Sequence, residues 1–531
     1  MTPRIRPRDT IQIGKWLHDE QPEPDLARRG VRRNGRSPRR LAKAGDPVTV
    51  ERELLKSGHT IIRGMTGSGK TSKGMLPLIL KLMEPYQLSW PAKNGTLETA
   101  HERDAILVVD LGGDKQMFHA TQKRALQLGR TFRCFSLDSA RSHRFDPFQS
   151  IGADGQRIIR LCNLFLEAFS LDHGIIYGGS WYSQRNLLML LKICEEMVES
   201  KRSGREITLK EVDRYLQSSK CADVKDAEQI RGIFRFLLEY DQLQPEPGEP
   251  DLIDLKRAIE DGEVIYAYLP AISEATTARQ IAGLFLQIAI ASAMKIYEER
   301  QGSARPQRHL HCFVDEMVNL AGASFENYLI GARKYSISIT MAYQSSESLQ
   351  KDKNVDLVPV VRDNSVLQML FTVTGRRDIE ELQTFSRETT RPLRSRSLET
   401  SIRFGAYRAL GGESESESVT PQLSKDDILD VAGTEGAFFA VIRDGRGHRE
   451  PIPAVGAYAV SHAEYLDSLA TPLPLVERRV AAAATNRTQR PAGPAWHVAH
   501  IEANKPKIHR ERLQRLAALL NRLDREEQLE L

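Results

Sequence analysis

Long hydrophobic runs are missing from this 531-residue sequence. Its most apolar helical window, Ile281 to Met294, is short and broken by Gln287, so no segment is expected to span a bilayer. The Met1 end carries no apolar targeting segment. Cysteine is scarce as well. Cys134, Cys162, Cys194, Cys221 and Cys312 form no C-x-x-C pair, which argues against a disulfide framework and a zinc ribbon and fits a reducing compartment. Charge of one sign is also not in large excess, with 75 Lys and Arg against 70 Asp and Glu, so the overall balance of +5 does not announce a polyanionic partner. What remains is an ordinary globular composition, 40% apolar and 27% charged, which excludes a disordered or fibrous chain. A cytoplasmic location is expected, with peripheral attachment to the inner face of the cell membrane through partners as the further option.

Composition shifts along the chain suggest five parts. Residues 1–45 hold twelve Lys and Arg against five acids and read as a basic flexible arm, either simply solvated or in contact with phosphate backbone or anionic lipid. Residues 46–150 alternate strand and helix signals. Thr60-Ile61-Ile62 and the apolar run Ala105 to Val109 ending at Asp110 read as buried parallel strands. Residues 151–250 hold only helical patterns, an all-α insertion closed by the linker Pro245 to Pro250. Residues 251–465 resume the strands, with runs at 263–269, 310–314, 337–341 and 366–373. Helices between these runs argue for an α/β fold with an open, mostly parallel sheet covered on both faces. After Thr384 the Arg/Ser-rich stretch and Gly411 to Ser418 read as a mobile low-complexity loop. Residues 466–531 form a Pro/Ala-rich tail whose Leu513, Leu516, Leu520 and Leu523 recur at helical spacing, the pattern of an amphipathic helix.

The chemistry begins at Gly64-Met65-Thr66-Gly67-Ser68-Gly69-Lys70-Thr71, which matches G-x-x-x-x-G-K-[ST] at every fixed position. It follows a strand and opens a helix, the context in which loop N–H groups and a helix N-terminus converge on phosphate oxygens. Gly64, Thr66, Gly67, Ser68, Gly69, Lys70, Thr71 and Ser72 are therefore the expected nucleotide contacts. Glycine lets the main chain approach a polyanion, Lys70 places a cation on the β- and γ-phosphates of ATP, and the Thr71 hydroxyl ligates Mg²⁺. A glycine-rich turn without a ligand is the bland alternative.

Such a loop needs a carboxylate at a neighbouring strand end and a base for water. Leu310 to Val314 followed by Asp315-Glu316 supplies both: Asp315 acts through the metal and Glu316 as the base. A capped strand end is the competing explanation, and Asp110 ranks second as metal partner. Gln344, at the tip of the 337–342 strand, is placed to sense the γ-phosphate or the lytic water. Arg333, on the preceding helix, could reach a neighbouring subunit's phosphate. A capping Gln and a surface cation are the plain alternatives.

Together these pieces resemble the type IV secretion coupling proteins of the VirD4/TraG/TrwB kind, DNA-pumping ATPases within the FtsK/HerA motor group. Val108 to Asp114 resembles the family's strand-plus-DPKG segment, and Phe145-Asp146-Pro147-Phe148 its NP turn. Trp181 resembles the start of its all-α domain. Asp315-Glu316, Arg333-Lys334 and Gln344-Ser345 follow its Walker B, arginine-finger and glutamine order. Asn364-Ser365 and Pro421 to Ser424 resemble later landmarks. Two features depart from the family: Gly112 stands at the DPKG lysine, and a basic arm replaces N-terminal membrane helices.

The resemblance implies a RecA/FtsK-like P-loop NTPase with an all-α insertion domain and a homo-hexamer with ATP and Mg²⁺ between subunits, Arg333 acting in trans. It implies a DNA-stimulated ATPase that delivers single-stranded, relaxase-bound DNA to a secretion channel. Arg391, Arg394, Arg396 and Arg403 are candidate DNA contacts. A chromosome-handling or phage-defence translocase and a non-motor receptor with a structural ATP site are the alternatives.

Overall fold

A computed structural model of the chain describes residues 9–19 and 42–476 apart from short internal stretches, the longest being 150–157, 172–178 and 219–227. Most of the basic arm and the helix expected near residue 520 lie outside the described residues. The core element is a twelve-stranded sheet. Its main strands are β1 (Thr10–Trp16), β2 (Pro47–Glu51), β3 (His59–Arg63), β4 (Ala105–Asp110), β5 (Phe132–Ser136) and β6 (Val264–Tyr268). They continue with β7 (Leu310–Asp315), β8 (Ile337–Tyr343), β9 (Ser365–Phe371), β10 (Ala437–Asp444) and β11 (Ile452–Val455). The order across the sheet is β2-β1-β11-β10-β9-β3-β8-β7-β4-β6-β5, and the short Gly447–His448 strand pairs with β10. From β9 to β5 every pairing is parallel. From β2 to β9 every pairing is antiparallel.

The parallel strands are mostly apolar on both faces because both faces are covered, and the polar residues that do enter them, among them Thr60, His311, Ser338 and Thr340, are buried. Ile61, Leu107, Val109, Cys312, Val314 and Met341 pack into the core on one face. Ile62, Ile106, Val108, Phe313 and Ala342 pack into that on the other.

The crossover from β5 to its parallel neighbour β6 carries the helices Ile158–Ala168, Gly179–Arg202, Leu209–Gln217 and Glu228–Leu237. Their apolar faces belong to the same core as one face of the sheet. Phe145 packs between β5 and helix Ala275–Glu299, its ring centroid 6.2 Å from that of Phe135 and 4.1 Å from that of Phe285, while Phe148 lies 6.0 Å from Phe165 of the first crossover helix. Asp146 holds this corner by accepting the Phe148 N–H at 2.8 Å.

Three expectations change. Thr10–Trp16, inside the segment read as an arm, is a sheet strand: Ile11 and Ile13 are buried, and alternation at this short length is hard to see among arginines. The apolar window at 281–294 belongs to a 25-residue helix, Ala275–Glu299, extended at both ends by polar residues that still propagate a helix. That helix is long and apolar enough to cross a membrane, but here it is a core helix, buried without interruption from Ile281 to Ile290. Finally, the stretch read as a mobile loop is a hairpin of two 16-residue strands, Glu388–Arg403 and Ala406–Pro421. Its register sets Arg394 opposite Glu415 and Arg396 opposite Glu413. Alternation of Arg with Ser and of Glu with Ser has the period of a strand. The side chains of residues 389–418, and so the four candidate DNA-contacting arginines, lie outside those described.

Two glycines separate packing from propensity. A Cβ on Gly283 would stand 2.2 Å from the Ala168 carbonyl oxygen, where helix Ala275–Glu299 meets helix Ile158–Ala168. Gly232, inside helix Glu228–Leu237, has open space around it. Gly283→Ala should therefore cost about 1–3 kcal/mol, whereas Gly232→Ala should gain up to about 1 kcal/mol. Denaturant unfolding checks both signs.

Candidate nucleotide site

Four neighbouring parallel strands end within a residue of one level. Tyr343 is opposite Arg63, Met341 opposite Val314, and Asp315 opposite Asp110. The chain leaving each strand there reaches the crevice where α/β sheets bind ligands.

After β3 the loop 64–69 turns back into a helix that starts as a π-turn over Lys70–Met75 and continues as Leu76–Leu82. Gly67 and Gly69 have φ of 79° and 96°, a region that favours glycine. Gly64 is required for a different reason, since a Cβ there would lie 2.6 Å from the Phe371 carbonyl oxygen and 2.7 Å from Ser68 Oγ. The Gly64 N–H donates to the Tyr343 carbonyl at 3.3 Å. Lys70 is buried, and its ammonium donates to the Gly64 and Met65 carbonyls at 2.7 and 3.1 Å. Burial lowers its pKa, opposed by the charges of Glu316 and Asp315. Ser68 Oγ is buried with no partner among the described residues.

Thr71 Oγ1 lies 3.5 Å from Asp315 Oδ2, so the loop hydroxyl and the strand-end carboxylate face each other. Burial, then the Glu316 charge, pushes the Asp315 pKa up to about 6. Glu316 has left-handed backbone, φ 52°, and its N–H donates to Asp315 Oδ1 at 3.1 Å. A non-glycine residue held there carries roughly 1–3 kcal/mol of strain, a mark of functional sites.

Asp110, the second-ranked metal partner, is already engaged. Its Oδ1 accepts the Gly113 N–H at 2.7 Å, and its Oδ2 accepts the Asp114 N–H at 2.9 Å and the Tyr266 hydroxyl at 2.8 Å. Burial and then the Asp315 charge push it up to about 7. It shapes the 111–114 loop and stands behind Asp315. Gly112 is tightly placed: a Cβ there would lie 3.2 Å from Asp315 Oδ2, so the residue at the DPKG lysine position clears space beside that carboxylate. Asp110's support by Tyr266 and the closeness of Gly112 to Asp315 were not legible, because each is a contact with a strand neighbour distant in sequence.

Gln344 is exposed directly after Tyr343, whose carbonyl holds Gly64, so it borders the loop. Its segment is tied down by Arg63, buried one residue before the loop. That guanidinium donates to Ser346 Oγ and pairs with Asp378 and Glu381, each at 3.3 Å. Arg333 is not brought to the site. It is exposed before β8, and the seven residues of that strand, about 20 Å, separate it from the loop edge.

The donor set fits a nucleotide with Mg²⁺. The cradle excludes side chains at Gly64, Lys70 is the loop's cation, and the unpartnered Ser68 hydroxyl can meet a phosphate oxygen. Among the described residues no cluster of three or more His, Cys, Asp or Glu could hold a metal. Mg²⁺ with nucleotide needs none, since phosphates and waters complete its shell around one or two protein oxygens. Thr71 Oγ1 and Asp315 Oδ2, 3.5 Å apart, are placed to supply two such oxygens.

This combination of a mostly parallel sheet and a glycine-rich loop at its strand ends defines an α/β P-loop fold of the RecA/FtsK type. Among solved structures the chain is similar to the bacterial conjugative coupling protein TrwBdeltaN70 in an unbound form, with a TM-score of 0.51, 14% identity, and 78% of this chain and 88% of that one covered. It is similar also to the plasmid coupling protein TrwB in complex with ADP and Mg²⁺, with a TM-score of 0.51, 14% identity, and 84% and 95% covered. The complex of TrwB with the non-hydrolysable GTP analogue GDPNP gives a TM-score of 0.50, 14% identity, and 86% and 97% covered. No family model and no curated protein matches the chain. The chain thus has the fold of TrwB-type coupling proteins.

Gly64→Ala tests the cradle. The fold should survive with stability lowered by about 1–3 kcal/mol, while nucleotide affinity falls at least about tenfold; calorimetric titration and thermal unfolding measure the two separately.

Proposed function

We propose that this chain is an ATP-hydrolysing motor that moves DNA, acting as the coupling protein of a conjugative, type IV secretion-like transfer system. The observation that carries the reading is the meeting of Thr71 and Asp315 at 3.5 Å, 244 residues apart in sequence, on the fold of a coupling protein. A glycine-rich turn without a ligand gives no reason for a buried Lys, a carboxylate and a strained Glu to gather at one strand edge.

In this reading Lys70 and the loop N–H groups hold the phosphates, and Thr71 and Asp315 hold the metal. When bound, Mg²⁺ would neutralise charge developing on the β- and γ-phosphates. Glu316 takes the proton of the attacking water, which its fixed backbone orients. Gln344, on the rim of the loop, reads the presence of the γ-phosphate, and Arg63 passes its position to helix Arg376–Phe385 at the base of the long hairpin. Arg333, at the far edge of the sheet, serves a neighbouring copy's nucleotide, which requires a ring. We assign the helices between β5 and β6 to cargo recognition and the remaining α/β portion to the motor. The partners are DNA, a relaxase and secretion-channel proteins.

Lys70→Ala should abolish nucleotide binding. Glu316→Gln should keep binding and lose turnover by about 10²- to 10⁴-fold; turnover at the original rate would mean that the base is elsewhere. Arg333→Ala should reduce turnover in the assembled protein and leave nucleotide affinity intact. Phosphate release should rise when DNA is added and the rise should fall steeply with salt; one unchanging rate with and without DNA would remove the motor reading.

A further inference from the structure

Lys73 lies one helical turn beyond Lys70 and points away from the metal side. It is 5% exposed. Its stem runs past Gly69, where a Cβ would stand 3.2 Å from Lys73 Cδ. Its ammonium lies 4.2 Å from the centre of the Tyr458 ring and 3.7 Å from Glu435 Oε1. Tyr458 in turn donates its hydroxyl to Glu435 Oε1 at 3.3 Å. Two glycines make room for this lysine: a Cβ on Gly436 would lie 2.1 Å from its Nζ, and one on Gly456 would lie 3.0 Å from its Cβ. The turns at the ends of β10 and β11 are therefore fitted around a side chain of the loop's own helix.

The corner is built, yet it presents its polar and aromatic surface to solvent. Tyr458 is 58% exposed, and the Glu435 side chain 87%. The sheet order sets its side relative to the chemistry. With the reacting end of a triphosphate toward Asp315 and Glu316, as the proposed function has it, on the β8–β7 side of β3, the β9–β10–β11 side of the loop is left for the nucleoside end. Lys73, Glu435 and Tyr458 stand on that side, next to the turn where Gly69 passes into the helix.

We propose that Tyr458 and Glu435 form the nucleobase subsite, a purine ring stacking on the Tyr458 face opposite Lys73 and the Glu435 carboxylate accepting a hydrogen bond from a base N–H or a ribose hydroxyl. Lys73 is a positioning residue that fixes the ring to the loop helix, so that a base and its phosphates are held by one rigid unit. The inference rests on the loop being a nucleotide site.

The full-length protein separates the two claims when titrated with Mg²⁺ and either the non-hydrolysable ATP analogue or inorganic tripolyphosphate, which has no base. Tyr458→Ala should weaken the analogue by about 5- to 150-fold, the usual range for losing one base–aromatic stack, and leave tripolyphosphate unchanged. Tyr458→Phe should retain most of the affinity. Equal binding of the analogue by the wild type and Tyr458→Ala overturns the subsite, as does an equal loss for both ligands. Wild-type protein that binds tripolyphosphate as tightly as the analogue overturns the subsite alone, and wild-type protein that binds neither overturns the nucleotide reading with it.

Discussion

The alignment of parallel strand ends is the constraint on which the rest depends. Parallel strands share a direction, so every connection that leaves β3, β8, β7 and β4 at its C-terminal end leaves from one edge. Lys70, Thr71, Asp315 and Glu316 come from segments hundreds of residues apart, and they meet only because the hydrogen-bond register brings their strands level. Those strands are mostly apolar on both faces, and Asp110 and Asp315, their buried carboxylates, stand at the C-terminal ends.

Concentrating carboxylates at that edge is costly. Asp110 and Asp315 sit opposite each other in register, both buried, and burial raises both pKa values. The structure offsets this in two ways. Asp110 gives its oxygens to two backbone N–H groups and the Tyr266 hydroxyl, while Asp315 keeps one oxygen toward Thr71 and lies near Lys70. Two acids of the same type, one in each of two adjacent strands, thereby take different tasks. A buried polar group must find partners or lose stability, and the partners available at each strand end decide which acid is engaged by its own loop and which faces Thr71.

Much of the site was legible because its signals are local. The glycine, lysine and threonine spacing of 64–71 names the loop, and an apolar run ending in Asp315-Glu316 names the opposing strand. The helices between β5 and β6 were legible from periodicity. Three things were not. Strand β1 hides among arginines, the long hairpin reads as low complexity because Ser and Glu are rare strand formers, and the core helix Ala275–Glu299 outruns its apolar window. In each case pairing or packing with distant residues outweighs local preference. The support of Asp110 by Tyr266 and the wrapping of Lys73 by Gly436 and Gly456 are contacts across the sheet, and no spacing rule encodes them.

The amino-acid order alone determined which chemical groups this protein owns and which short segments can cradle phosphate, because backbone freedom at glycine and helix nucleation after it are properties of a few consecutive residues. The three-dimensional arrangement decided which acid faces Thr71, that Arg333 lies on the edge away from its own loop, and what surrounds Lys73. Those outcomes depend on strand register and on the direction of each crossover. Both are settled by burial of the whole sheet, a cooperative choice to which every strand contributes and which no single stretch of the chain contains.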